Sequence, residues 1–294
     1  MRKACLAALL LTAARALSPP RPLAQRRQHR TAPIAALPSL PAVAAACTLP
    51  TCLGLWRSGY AVSYGYGGAM LAAGALALPR AASGVARAHA RALIFYGMRL
   101  DLYLLWRELA LPEAIHQMKR RDATLPERLK RLPVVVGCSA LYYCMAAPLR
   151  VTAACAGRCG APAAVAVALA FVGFGIAAAG DLVKAYVKAR DGAETLVTVG
   201  PFRWLRHPNY TGEMMGWAAS FAAAVLAAAA AGNLRSQAGW LATSALGAAG
   251  IFFVLAGEAT AGLEKKQKEK YGGTPEYDSW IARSWSGPML KSSS

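Results

Sequence analysis

The chain has 294 residues, 56% of them hydrophobic and 16% charged, with a formal net charge of +19. A composition this apolar argues against a pair of ordinary soluble domains and for one membrane domain behind a leader. The positive charge does not mark a nucleic-acid binder, because the Lys and Arg residues lie between apolar stretches rather than among the aromatics of a soluble platform.

Residues 1 to 16 have a basic start at Arg2 and Lys3, an apolar run from Cys5 to Ala13 and the pattern Ala14-Arg15-Ala16, as in a signal peptide, with cleavage expected after Ala16. Leu17 to Pro41 carries Arg21, Arg26, Arg27 and Arg30 and no acidic residue, the composition of a plastid transit peptide. Residues 1–41 are therefore expected to be a bipartite leader, resembling those of algae whose plastids lie within the secretory system. A plain signal peptide followed by a basic tail is the alternative. The membrane of residence is expected to be a plastid membrane, with the endoplasmic reticulum as the other option.

Residues 42–294 read as an all-α, polytopic membrane domain of six or seven helices. The firmest spans are Gly59 to Leu78, Ala161 to Gly180, Gly212 to Ala231 and Gly239 to Gly262, each near the roughly 20 apolar residues that a bilayer requires. Ala92 to Leu109 and Pro133 to Leu149 are weaker, and Ala42 to Trp56 is a partial segment. The basic connections are Lys119 to Arg131, Lys184 to His207 and Lys265 to Lys270, and counting spans puts all three on one side, where Lys and Arg are retained. Solvated charge runs would look the same. The seven cysteines form no CxxC pair and no metal-ligand spacing.

Along α-helical spacing, Tyr96, Arg99, Tyr103 and Arg107 make a polar stripe followed by Glu108. A tyrosine sharing its proton with nearby charges can act as a general acid, so Tyr103 and Glu108 are the candidate catalytic pair, and an interhelical ion-pair stripe is the plainer reading. Asp181, Lys184 and Lys188, at i, i+3 and i+7, share one face at the exit of the Ala161 to Gly180 span, placed to close a cavity or to snorkel at the interface.

The segment Gly200 to Glu213 (GPFRWLRHPNYTGE) holds the most information. Pro208 suits the first position of a helix, whose free N–H groups would meet Arg203, Arg206 and His207 in an anion site or, alternatively, a headgroup anchor. Asn209, Gly212, Glu213, Gly216 and Trp217 fall on one face, which should look into a protein cavity because an amide and a carboxylate are costly against lipid. Glycines on that face would admit a ligand or a neighbouring helix. Beyond the last span, Leu263 to Gly272 continues as a charged helix toward Tyr277, Trp280 and Arg283, a tail that could fold back over the site or form an interfacial aromatic belt.

Over residues 55 to 290 the chain resembles the membrane-reductase superfamily typified by the C-terminal domain of steroid 5α-reductases. The resemblance rests on Arg99 to Glu108, Asp181, Arg206-His207-Pro208-Asn209-Tyr210-x-Gly212-Glu213 and Leu263 to Tyr277. It implies an NADPH-dependent reductase of a carbon–carbon double bond in a lipophilic, steroid-like or other lipid-enone substrate, with the cofactor site in residues 181–290. The implied cofactor residues are Asp181, Lys184, Arg203, Arg206, His207, Asn209, Tyr210, Glu213 and Glu264. Isoprenylcysteine and phospholipid methyltransferases share the Arg-His-Pro-x-Tyr-x-Gly core, so an S-adenosylmethionine-dependent lipid or isoprenylcysteine carboxyl methyltransferase is the alternative, and a non-enzymatic membrane assembly factor is the second. Asn209 and Glu213 side with the reductases. The cationic loop also suits the phosphates of NADPH better than a sulfonium. The catalytic Glu and Tyr of the best-known steroid reductases have no counterparts at matched positions. The expected partners are the bilayer and a lipophilic small molecule, with no metal and no nucleic acid.

Overall fold

The computed structural model describes residues 37–57, 59–110, 125–155 and 158–289. The expected leader lies almost wholly outside them. The described chain is all-helical: α1 (Leu40–Thr51), α2 (Tyr64–Ala77), α3 (Gly84–Ala110), α4 (Leu132–Ala154), α5 (Gly160–Asp191), α6 (Pro208–Ala230), α7 (Ala238–Phe252), α8 (Thr260–Tyr271) and α9 (Pro275–Arg283). A π-helical turn, Phe253–Ala259, joins α7 to α8 without a break. Among the described residues, four helices are long and apolar enough to cross a membrane: those ending at Ala154, Asp191, Ala230 and Tyr271.

Two spans differ from expectation. The apolar stretch from Gly59 becomes a helix only at Tyr64 and runs for 14 residues, because Gly59 takes a left-handed φ of 89° and the chain turns through Val62 N–H to Gly59 O. The weaker stretch from Pro133 becomes the 23-residue α4, since Pro at the start of a helix costs no backbone bond. Helix α3 is 27 residues long but carries Arg87, Arg91, Arg99, Asp101, Arg107 and Glu108, which dilute its hydropathy.

Helices α5 and α6 pack backbone against backbone. A Cβ on Gly173 would lie 2.5 Å from Gly216 N and 2.7 Å from Gly212 O, and one on Gly212 would lie 2.5 Å from both Ala177 N and Gly173 O. Small residues let two backbones meet where lipid supplies no hydrophobic drive for association. The glycines of the polar α6 face therefore admit a neighbouring helix. Gly180 does the same at the start of α6, its Cβ position being 2.9 Å from Asn209 N.

The other faces of these helices build an aromatic core. Tyr96 of α3 meets Phe174 of α5 at 4.7 Å between ring centroids, Phe174 meets Trp217 of α6 at 5.0 Å, and Tyr66 of α2 stacks on Tyr142 of α4 at 5.0 Å. Further along α3, His89 is fully buried and joins three helices. The Thr152 hydroxyl donates to Leu149 O at 3.1 Å, so its oxygen accepts from His89 Nδ1–H at 3.2 Å, and His89 Nε2 then accepts from the Ser220 hydroxyl at 2.8 Å. The tautomer follows from the network.

The glycine contacts carry a test with an internal control. Leucine at Gly173 should cost on the order of 3 kcal/mol or more by overpacking and lower the midpoint of thermal unfolding in detergent. Leucine at Gly175, which has open space around its Cβ position, should leave it nearly unchanged.

Candidate functional site

A cavity of about 940 Å³ opens among α2, α3, α4, α5, α6 and the π turn. That is at the upper end of the roughly 300–1,000 Å³ common for small-molecule sites. Its lining comes from six helices: the start of α2 (Tyr66), the last turns of α3 (Tyr103, Arg107), the first half of α4 (Cys138, Tyr142), the last turns of α5 (Asp181, Lys184, Lys188), the start of α6 (Asn209, Tyr210, Glu213) and the end of α7 (Ile251). All of these segments but the start of α2 adjoin the basic connections, so the cavity lies toward the side those connections share.

Its inner wall is an ion cluster centred on Arg99, whose side chain is only 7% exposed. One guanidinium nitrogen donates to Asp181 Oδ2 at 2.6 Å and the other to Glu213 Oε1 at 3.0 Å. Glu213 Oε2 accepts from the Tyr96 hydroxyl at 2.9 Å and from the Tyr66 hydroxyl at 3.5 Å, while Asp181 Oδ1 accepts from Asn209 Nδ2 at 3.2 Å. The two carboxylates are thus spoken for by a cation and by O–H and N–H donors, as buried charges must be. Arg99 belongs to the stripe on α3, and for this residue the plain interhelical ion-pair reading holds.

Arg107, Lys184 and Lys188 line the same cavity. Lys188 donates to Ala193 O and Arg107 lies over the Tyr103 ring at 5.6 Å. Three cations around one opening, with the two acids of the inner wall already engaged, leave the site electropositive.

The remaining expected site residues lie elsewhere. Glu264 Oε1 accepts from Arg206 Nε at 2.8 Å and contacts His207 Nε2 at 2.7 Å. Arg206 also donates to Ser284 O at 2.6 Å, and its backbone N–H to Trp285 O at 2.8 Å. The cations at the start of α6 are therefore closed into a latch with α8 and the chain after α9, while Arg203 is exposed. The tail does fold back, but onto the Gly200–Arg203 turn: Trp280 is fully buried and its Nε1 donates to Phe202 O at 2.6 Å. Neither Tyr277 nor Trp280 lines the cavity.

Tyr103 and Glu108 are not brought together at the cavity. Tyr103 lines it, whereas Glu108 accepts from the Tyr60 hydroxyl at 2.6 Å, to which Arg57 also donates. Burial and the Glu108 carboxylate push the Tyr60 phenol up from its ordinary range. The cavity residues without a sequence signal were Tyr66, Tyr142 and the apolar set Cys138, Leu141, Ile251, Val254 and Leu255. Tyr66 alone could have been noticed, as a single aromatic set among Gly65, Gly67 and Gly68. Among the described residues, no group of three or more His, Cys, Asp or Glu is placed to hold a metal.

Residues 63–284 match the family described as "Protein of unknown function (DUF1295)". The chain belongs to the DUF1295 family. The family match takes in every cavity residue named above, and it includes the Arg206–His207–Glu264 latch. No curated protein and no solved structure matches the chain.

The Arg99 cluster can be tested by unpairing it. Arg99→Met should cost about 3–5 kcal/mol by leaving two carboxylates buried without a cation. Adding Asp181→Asn and Glu213→Gln should restore much of that loss in thermal unfolding followed in detergent. Equal stability of the single and triple variants would show that the ion pairs are not what couples α3, α5 and α6.

Proposed function

We propose that this DUF1295 protein is a membrane-embedded, NADPH-dependent reductase of a carbon–carbon double bond in a lipophilic substrate, steroid-like or another lipid enone. The observation that carries this reading is that one cavity is lined both by the cations Arg107, Lys184 and Lys188 and by the apolar side chains of Leu141, Ile251 and Leu255. A dinucleotide with three phosphate groups fits the first and a lipid the second. The resemblance to membrane reductases through Asn209 and Glu213 supports the same choice.

The donor set suits such a cofactor. Lys184, Lys188 and Arg107 supply charge for phosphates, the Asn209 amide is held by Asp181, and Tyr66, Tyr103, Tyr142 and Tyr210 offer ring faces along the wall. Bound NADPH would supply a hydride. Arg206, His207 and Glu264 act at one remove, by fixing the loop from which α6 starts.

Of the tyrosines, Tyr66 is the best placed to hand a proton to a substrate carbon. Its hydroxyl has one long bond to Glu213, whereas the Tyr142 proton is given to Ala61 O at 3.0 Å and Tyr96 does not line the cavity. Stacking on Tyr142 fixes the Tyr66 ring, and Glu213 orients its proton.

Titration of the detergent-purified protein with NADPH, NADH and S-adenosylmethionine tests the assignment. Preference for NADPH is expected, weakened about tenfold in Lys184→Ala, on the order of 1.4 kcal/mol. Tyr66→Phe should keep NADPH affinity and lose about 10²–10⁴-fold in reduction of a lipid enone. Binding of S-adenosylmethionine alone would move the protein to the methyltransferases, and binding of neither would favour an assembly role.

A further inference from the structure

A second, much smaller cavity lies beside the aromatic core, among α4, α6 and α7. Pro148 of α4, Trp217 and Ser220 of α6, and Ser244 and Ala248 of α7 line it, and its volume is about 10 Å³, the room of one water molecule. Next to it α4 and α7 pack backbone against backbone, the Cβ position of Gly247 being 2.7 Å from Cys144 O. The space is therefore left by small side chains, not by helices that stand apart.

Three of the lining residues carry N–H or O–H groups, and all three are buried: Trp217 is 2% exposed, Ser220 0% and Ser244 1%. Trp217 Nε1–H has no hydrogen-bond partner among the described protein atoms. An indole N–H can only donate, and a buried donor left unpaired is costly. The serines present the opposite need. Ser244 gives its proton to Trp240 O at 2.7 Å and Ser220 gives its proton to His89 Nε2 at 2.8 Å, which leaves both hydroxyl oxygens with lone pairs to fill. An occupant that satisfies all three must accept one hydrogen bond and donate two from a space of molecular size. Water meets that description. An ammonium ion has nothing to accept with, a fully ionised anion has nothing to donate, and a hydrocarbon has neither.

We propose that this cavity is the binding site of one structural water, which accepts from Trp217 Nε1–H and donates to the hydroxyl oxygens of Ser220 and Ser244. The water ties α6 to α7, and it lengthens the neutral chain that runs from Thr152 through His89 to Ser220 as far as Trp217. It also holds the indole that meets the Tyr96 ring at 5.0 Å and stacks on Tyr66 at 6.2 Å. Tyr66, a wall of the large cavity, is thereby braced from a side that the large cavity does not reach. The water site goes beyond the reductase reading and requires no bound cofactor.

Nuclear magnetic resonance of the full chain in lipid nanodiscs, with isotope-labelled tryptophan, tests it. The Trp217 indole signal is identified by its loss in Trp217→Phe. A cross-peak from that indole proton to water is expected. It should fall about fivefold or more in Ser244→Val and, separately, in Ala248→Val, which fill the cavity from two positions on one face of α7. The other indole signals should keep their places, which reports that each variant is folded. Absence of the water cross-peak at Trp217 in the unaltered protein would overturn the site. So would a cross-peak unchanged in both folded variants, since it would then arise from the exchanging hydroxyl of Ser220.

Discussion

A guanidinium can be buried in a membrane bundle only if carboxylates are buried with it, and Arg99 is met by two. Asp181 comes from α5 and Glu213 from α6, so one side chain of α3 fixes the relative position of three helices. The other contacts at the inner wall depend on this arrangement. With Glu213 pinned by Arg99, its second oxygen is free to receive Tyr96 and Tyr66, and with Asp181 pinned, its second oxygen receives Asn209. A polar cluster of this kind is costly unless its charges are paired, and here the pairing also builds a cavity wall, with Arg99 Nε left without a hydrogen-bond partner.

The glycines of α5 and α6 make that cluster geometrically attainable. Asp181 and Asn209 meet because Gly180 lets the start of α6 rest on the α5 backbone, and Gly173, Gly212 and Gly216 hold the two helices together beyond it. The other half of the bundle has different chemistry. There His89, Thr152 and Ser220 close a neutral hydrogen-bond chain in the core, while the charges gather at the basic side. The residues that settle the orientation of the chain in a membrane are thus continuous with those that make the cavity electropositive.

Some of the site was legible in the chain. The period of α6 correctly put Asn209 and Glu213 on a face turned away from lipid, because a helix repeats every 3.6 residues whatever surrounds it. Lys184 and Tyr103 likewise reach the cavity. The pairing of Tyr103 with Glu108 failed on the same geometry: five residues at about 100° each leave the two side chains roughly 140° apart around α3. Charge alone did not show the partner of Arg206 and His207. Their partner, Glu264, lies 58 and 57 residues away in the chain, and nothing local announces that two adjacent cations will share one distant carboxylate.

The amino-acid sequence by itself determined that this is an all-helical membrane protein, which side its basic connections occupy, and which face of α6 is polar, because hydropathy, charge placement and helical period are properties of one segment at a time. Only the tertiary structure decided which charges are spent on one another and which remain available, and it alone placed Tyr66 against Glu213 across 147 residues of chain. A cavity is a relation between helices. Its lining is chosen by how closely backbones approach and by which buried carboxylate finds which cation, and those choices are made only when the helices meet.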